Sequence, residues 1–376
     1  MPSLPDRRPQ GRPAPRAALP ALAVLLASIV AWTLAAAAPN LPPRLGAARF
    51  NSVRFGPDAN ASATLFYLTR GGAPTSAAPF AGVSLGYVHS CAATRAGTVA
   101  CWGSNDEGQT AAPADLRDVV QLSAGDSHTC ALRADGRVAC WGYDAQGQAA
   151  PPPELDAAQV SAGTYHTCAV AAGPGAGSVV CWGRDDYGQA TAPALAGVTQ
   201  VSAGFEHTCA VTTGGRVACW GRNNAGEAAA PADLGPVTQV SAGHDYTCAV
   251  LGGRNAGRVR CWGTDHYGQA TPPATPDDRV VQVSAGFAHA CAVTAAGGVR
   301  CWGRDDYGQA TPPPGLGRVT AVGANGVHSC ALTAAGAVRC WGGNGRGQAL
   351  PPPTQRGPAD RGPADRGAPV VAVASR

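Results

Sequence analysis

His-Thr-Cys-Ala-Leu-Arg-Ala-Asp-Gly-Arg-Val-Ala-Cys-Trp-Gly, residues 128–142, decides the fold. Its centre, Ala134-Asp135-Gly136, reads as a three-residue hairpin loop. Such a loop is a type I turn followed by a left-handed residue, for which glycine is the natural choice. Counting outward, Arg133 faces Arg137, Leu132 faces Val138, Ala131 faces Ala139 and Cys130 faces Cys140. Antiparallel pairs alternate between hydrogen-bonded and non-hydrogen-bonded sites, so the two cysteines fall on a non-hydrogen-bonded pair with Cα atoms about 4.5 Å apart. A disulfide accepts that spacing.

The same hairpin recurs seven times. Its tryptophans are Trp102, Trp141, Trp182, Trp220, Trp262, Trp302 and Trp341, at intervals of 38 to 42 residues. A unit this short cannot bury its own apolar face and must stack on copies of itself. The predicted fold is all-β: a seven-bladed β-propeller over residues 80–350 with one cysteine pair per blade. The pairs are Cys91/Cys101, Cys130/Cys140, Cys168/Cys181, Cys209/Cys219, Cys248/Cys261, Cys291/Cys301 and Cys330/Cys340. Five are 10 residues apart and two are 13 apart; the longer ones add three residues inside the loop and keep the ladder register. The other short loops carry Gly97, Gly215, Gly297 and Gly336 at the position of Gly136.

Zinc is the rival reading of these cysteines. His128 lies two residues before Cys130 and so shares its strand face. His89, His166, His207, His289 and His328 recur at that place, while the fifth unit has Tyr246. Cysteine and histidine on one face are zinc ligands, but each unit lacks an evident fourth one. The disulfide reading is preferred and the histidine is expected to serve as a hydrogen-bond donor near a strand start. No metal or other cofactor is expected.

Each unit reads as an inner strand ending in Ser-Ala-Gly, a middle strand through the first cysteine, and an outer strand through Cys-Trp-Gly. A polar loop, Gly-Gln and a short Ala/Thr/Pro segment follow, the last a candidate fourth strand. Cys130, Leu132, Val138 and Cys140 share one face; Ala131, Ala139 and Trp141 share the other. Stacked blades are expected to bury both, so the tryptophan row reads as packing between blades.

Outside the repeat, residues 1–38 read as a signal peptide or N-terminal anchor. Arg7, Arg8, Arg12 and Arg16 precede an uncharged apolar run from Ala17 to Ala38. At 22 residues the run is also long enough to span a bilayer. Residues 39–79 form an N-terminal extension containing an Asn60-Ala61-Ser62 acceptor triplet. Residues 351–367 read as a Pro/Gly-rich linker, and 368–376 as a strand that helps close the ring. The expected location is secreted, periplasmic or cell-surface, where disulfides persist.

The 28 basic residues are all arginine, and the formal net charge is +4. Residues 1–38 supply four Arg and one Asp, a net of +3, which leaves +1 for the rest. That balance gives no electrostatic footprint for nucleic acid.

Trp-Gly, four variable polar residues and Gly-Gln, followed by an apolar strand and Ala-Gly, resembles the regulator of chromosome condensation (RCC1) repeat superfamily. The best copies are Trp182 to Gln189, Trp262 to Gln269 and Trp302 to Gln309; the fourth unit has Glu227 in place of the glutamine. The resemblance implies a seven-bladed propeller, the count reached independently above. The short units and the expected export resemble bacterial secreted members of the beta-lactamase inhibitor type, which bind an enzyme with one propeller face. The nuclear members are guanine-nucleotide exchange factors. The cysteine pairs depart from both.

Function is expected on one rim. The turns joining inner to middle strands (the rim turns) vary from unit to unit and carry Tyr87, Tyr165, Phe205, His244, Asp245 and Phe287. The loops after the outer strands (the rim loops) reach the same side and carry Tyr187, Tyr267 and Tyr307 beside acidic residues, and Tyr143 and Asp126 lie on the same rim. Aromatic and acidic groups on a rigid scaffold suit recognition of a protein or glycan by a monomer. The plainer reading is that the acidic residues only satisfy turn amides. Glu206, His207, His244 and Asp245 are the one cluster of titratable residues expected to share a rim sector, and no catalytic motif accompanies them. A non-enzymatic binding scaffold is expected, with a secreted enzyme inhibitor as the alternative and an exchange factor disfavoured. A membrane enters only through retention of residues 1–38.

Overall fold

The hairpin is present in all seven units of the computed structural model, which describes residues 80–274 and 279–352. Blade 1 consists of β1 (Phe80–Leu85), β2 (His89–Thr94) and β3 (Val99–Gly103). The inner strands of blades 2 to 7 begin at Val119, Ala157, Val198, Val237, Val280 and Val319. Each blade is an antiparallel sheet ordered inner, middle, outer. Cysteine faces cysteine in every hairpin, with Cα atoms 4.0 to 4.1 Å apart. The bridges are Cys91–Cys101, Cys130–Cys140, Cys168–Cys181, Cys209–Cys219, Cys248–Cys261, Cys291–Cys301 and Cys330–Cys340, and no cysteine is left free. The disulfide alternative is therefore the one the fold adopts. The loop glycine has positive φ as required: +84° at Gly136 and +76° at Gly97. The two long loops fold into single 3-10 turns, Gly173–Gly175 and Gly253–Asn255, and the register behind them is intact.

The expected fourth strand is not formed. After Gly-Gln the chain makes turns, such as Thr191 N–H to the Gly188 carbonyl (3.1 Å), and then runs through prolines. Proline has no N–H for a ladder, so the blades have three strands. The assignments for residues 1–38 and 39–79, and for the linker and tail beyond Pro352, lie outside the described residues.

Adjacent blades pack the cysteine face of one against the tryptophan face of the next. Cys91, Ala93, Val99 and Cys101 of blade 1 meet Val119, Leu122, Ala131 and Trp141 of blade 2. Cys330, Leu332, Val338 and Cys340 of blade 7 meet Phe80, Val83, Ala92 and Trp102 of blade 1 in the same manner, so the ring closes within the described residues.

Burial of both faces holds for the middle strands but needs correction for the outer ones. The first cysteine of every pair is wholly enclosed, at 0% exposure. Its partner is only half-buried: Cys181, Cys219, Cys261 and Cys301, like Cys101, Cys140 and Cys340, retain contact with solvent. The reason is geometric. The third strand is the free edge of a three-stranded blade, no fourth strand flanks it, and neighbouring blades diverge with distance from the ring axis. Each bridge therefore runs radially from a dry interior to the periphery.

Polar bonds repeat with equal regularity at these interfaces. The Thr129 hydroxyl donates to the Gln109 carbonyl (3.0 Å), which also accepts from Trp141 Nε1 (2.9 Å). The glutamine of the Gly-Gln motif thus anchors its own blade to the next through its main chain. Its side chain closes the rim loop, Gln109 Oε1 accepting from the Glu107 N–H (2.9 Å). Glu227 does the same through Ala225 N–H (2.7 Å), which explains why the shape-matched carboxylate is tolerated there.

The recurring histidine belongs to this network. His89 Nε2 lies 2.9 Å from Thr129 Oγ1, and His128, His166, His207, His289 and His328 make equivalent contacts at 2.8 to 2.9 Å. The hydroxyl proton is committed to the glutamine carbonyl, so the histidine must donate from Nε2. Nδ1 is then unprotonated and, in all six, lacks a hydrogen-bond partner among the described residues. The expected structural donor role is the observed one. In blade 6 the hydroxyl is missing, since Ala290 stands there. Blade 5 correspondingly carries Tyr246, whose hydroxyl reaches past Ala290, donates to the His289 carbonyl (2.6 Å) and accepts from Gly286 N–H (3.0 Å).

The inner strands are too far apart for backbone ladders and are clasped by side chains. Gln121 Nε2 donates to the Val160 carbonyl while Val160 N–H donates to Gln121 Oε1, both at 3.0 Å. Gln159, Gln200, Gln239 and Gln282 repeat this clasp on Val201, Val240, Val283 and Val322. Blades 1 and 7 carry Gly82 and Ala321 at the clasp position, so blade 1 is clasped from neither side. Ser84 to Ser284 add a second row, each accepting a backbone N–H of the next blade, as in Ala124 N–H to Ser84 Oγ (2.9 Å).

Candidate recognition rim

Two sets of segments build this rim. The rim turns follow Gly125 and its equivalents, where backbone passes so close to the next blade that a Cβ at Gly125 would overlap the Gly163 carbonyl. The rim loops are fastened to them by one backbone bond per blade, for example Arg184 N–H to the Tyr165 carbonyl and Arg222 N–H to the Glu206 carbonyl, both 2.8 Å. The backbones of both sets are therefore fastened to the ring.

Five of the expected residues come together in one aromatic arc. Its ring centroids run from Tyr143 to Tyr165 (6.5 Å), Phe205 (6.3 Å), His244 (3.8 Å, stacked), Phe287 (4.3 Å) and Tyr87 (5.8 Å). Tyr87 and Phe287 belong to blades 1 and 6. They meet because blade 7 presents Gly326, without a side chain, between them.

An ion-pair chain runs beside the arc across blades 3 to 5. Arg184 holds Asp186 (2.6 Å) and Glu206 (3.2 Å), and Arg222 holds Glu206 (3.5 Å) and Asp245 (2.8 Å). Asp245 accepts in turn from His244 Nδ1 (2.8 Å). The Glu206 side chain is only 8% exposed, so this network orders the sector more than it decorates it. The imidazole and the nearby guanidinium together hold the Asp245 carboxyl below the ordinary carboxylate range, against the opposing effect of burial, which is the largest single influence. The Arg184 guanidinium also lies over the Tyr165 ring, 5.5 Å from its centroid. Of the titratable cluster expected on this sector, Glu206, His244 and Asp245 do meet. His207 instead is buried against Thr247 Oγ1 (2.9 Å).

Tyr187, Tyr267 and Tyr307 project from the rim loops, 47%, 52% and 57% exposed, and among the described residues make no ring contact with the arc. The plainer reading holds for the acidic residue that starts each of these loops. Asp185, Asp265 and Asp305 each accept a backbone N–H and a threonine hydroxyl of their own loop.

Sequence reasoning placed Tyr143 and Asp126 on this rim without selecting them as binding residues, and left out Arg184 and Arg222. Asp126 sits at the mouth of the central channel with Thr164, Phe205, His244, Phe287 and Asn325. Burial pushes its carboxyl up to about 6, with Thr164 and His244 drawing it partly back. The signal for it was present: it is the acidic exception at a position that is aromatic in four other rim turns. The channel below, about 200 Å³, is lined by the clasp glutamines and the serine row, which are already committed to bonds between blades.

No curated protein sequence matches the chain. The regulator of chromosome condensation (RCC1) repeat profile matches residues 80–109, 119–148, 198–227, 280–309 and 319–348. The chain carries RCC1 repeats in these five places and folds as a ring of blades. Blades 3 and 5, which lie outside those matches, have the same strands, disulfide and tryptophan bond. Similar solved structures include the ectodomain of the receptor kinase CR4 from Physcomitrella patens (23% identity, TM-score 0.60, 69% of this chain and 72% of that one). The CRINKLY WD40 ectodomain of ACR4 from Arabidopsis thaliana is 25% identical (TM-score 0.56, 69% and 95%). Prp20p from Saccharomyces cerevisiae is 16% identical (TM-score 0.56, 74% and 82%). These likenesses establish the RCC1-type propeller fold and do not extend to the bacterial inhibitor type. Seven disulfides, with ectodomains among the neighbours, suggest an extracellular protein.

Proposed function

We propose that the RCC1-repeat ring is a non-catalytic scaffold, secreted, periplasmic or held at the cell surface, that docks a protein partner on the rim formed by the rim turns and rim loops. The observation that carries this reading is the continuous aromatic arc from Tyr143 to Tyr87, set on a covalently stapled frame. Rigid aromatic side chains give contact area at low entropic cost and dominate protein interfaces. On the opposite rim five hairpin loops are minimal turns, and the two longer ones carry no aromatic side chain. A cytosolic GTPase is disfavoured as partner because the disulfides belong to an oxidising compartment.

The test is affinity capture from the extracellular fraction of the source organism with quantitative mass spectrometry. Wild type and a hairpin-rim control, Arg137→Ala, are expected to recover the same partner. Tyr165→Ala combined with Phe205→Ala should weaken capture by tenfold or more, about 1.4 kcal/mol. Equal capture by all three proteins, with unchanged thermal unfolding, removes the rim from consideration. Recovery of an inhibited hydrolase would favour the inhibitor alternative, and binding to isolated glycans in place of a protein would redirect the search.

A further inference from the structure

The mouth of the channel differs from the rest of the rim in its charge balance. It is lined by the Asp126 carboxylate, the rings of Phe205, His244 and Phe287, Thr164, and the backbone of Gly125, Gly163, Gly204, Gly243 and Gly286. No arginine is among these lining residues, and the chain has no lysine at all. Asp126 makes no ion pair among the described residues. Thr164 and His244 act on its carboxyl, and both favour the charged form. Asn325 donates to the Leu85 carbonyl (3.1 Å) and accepts from Gly326 N–H (2.8 Å). His244 Nδ1 is bonded to Asp245, a carboxylate that accepts only, which leaves Nε2 as the free ring nitrogen.

A carboxylate that shares a mouth with three aromatic rings is a poor host for an anion and a good one for a cation. The cavity is about 50 Å³. That is a few times the roughly 10–15 Å³ that one ordered water needs. It is open to solvent and has room for a head group. The rim already seats such a head group against a ring within the chain. The Arg184 guanidinium lies 5.5 Å from the Tyr165 centroid and that of Arg304 lies 5.2 Å from the Tyr267 centroid. A planar guanidinium can lie against a ring while donating to a carboxylate, which an ammonium does less well.

We propose that the channel mouth is a socket for an arginine side chain presented by the docked protein, with Asp126 as its carboxylate partner and Phe205, His244 and Phe287 as its walls. This rests on the docking role assigned to the same rim. The socket places the partner's anchoring residue on the ring axis, and the arc makes the surrounding apolar contacts. The burial that raises the Asp126 carboxyl agrees with a group whose charge is incompletely compensated until a cation arrives.

The probe is N-acetyl-arginine N-methylamide, with the citrulline analogue as its neutral isostere, titrated into the intact disulfide-bonded protein and followed by heteronuclear NMR. The arginine compound should shift the Asp126, Phe205 and His244 signals and bind about tenfold more tightly than the citrulline compound, as expected for a desolvated cation contact. Asp126→Asn should abolish that preference, and Phe287→Leu should weaken it with the fold intact by thermal unfolding. Equal binding of the two compounds, or shifts confined to other surfaces, overturns the socket. The docking role fails separately: it falls if the Tyr165→Ala/Phe205→Ala protein captures the partner as well as wild type does. Loss of capture in that protein, together with no arginine preference in the wild type, would sink the socket and leave the docking role standing.

Discussion

At the scale of single residues, the six buried histidines set the pH response. Burial lowers His89, His166 and His289 to about 4, and His128, His207 and His328 to about 3, from an ordinary value of 6.5. Between those values an unfolded chain takes up protons that the native ring refuses. Stability from this source is therefore fully present above about pH 6.5 and drains away as pH falls toward 4. Each histidine contributes a slope of about 1.4 kcal/mol per pH unit in that window. Denaturant unfolding at pH 7.5 and pH 5 should show a steep loss with uptake of several protons. A pH-independent midpoint would contradict the neutral assignment. Tyr246 offers a sharper test. Tyr246→His alone places a donor opposite Ala290 with nothing to accept it, and should cost about 1–3 kcal/mol. Adding Ala290→Thr should recover much of this in a double-mutant cycle. The exchange was invisible in the sequence as a pair, because the residues lie in different blades and the odd tyrosine looked like mere loss of a histidine.

At the scale of the strand and blade, the hairpin was legible almost in full. Loop glycine, cysteine parity and alternation each specified the same register, and a one-residue slip would have put tryptophan and cysteine on the wrong faces. The fourth strand was misread because the alternating Ala/Thr segment resembles an edge strand until the proline density and the Asp185-type loop closure are weighed. The same misreading hid the half-burial of Cys181, Cys219, Cys261 and Cys301, since a fourth strand would have flanked the strand that carries them. The glutamine clasps were not foreseen, since a glutamine inside an apolar strand is ordinarily its solvent-facing residue. Gln200→Leu keeps size but removes both bonds to Val240, leaving that N–H and carbonyl without their clasp. A loss of about 1–3 kcal/mol is expected by thermal or denaturant unfolding. A cost near zero would mean that water replaces the clasp from the channel.

Across the whole ring, the recognition surface was legible as a set of positions but not as a set of contacts. The variable rim turns named Tyr87, Tyr165, Phe205, His244 and Phe287. Their junction into one arc depends on Gly326 leaving a gap, and on Arg184 and Arg222 ordering the acidic side, which repeat counting does not reveal. The staples make a direct prediction at this scale. Alkylation of the native protein without reductant should add nothing to its mass, while reduction after unfolding should expose fourteen reactive thiols. The middle-strand cysteines are fully buried while the outer-strand ones keep contact with solvent, so reductant should attack each bridge from the outer strand. Each bridge closes a short loop and contributes roughly 3 kcal/mol at most in the chain-entropy description.

The missing clasps at Gly82 and Ala321 give the circle a weak seam on both flanks of blade 1. A hoop with one loose stave yields there first. Amide exchange in β1 should outpace that in every other inner strand, and an axial load should spring this blade outward while the remaining six stay locked. The ring would then fail by unlatching, and could latch again, because each stave keeps its own crosslink when it swings free.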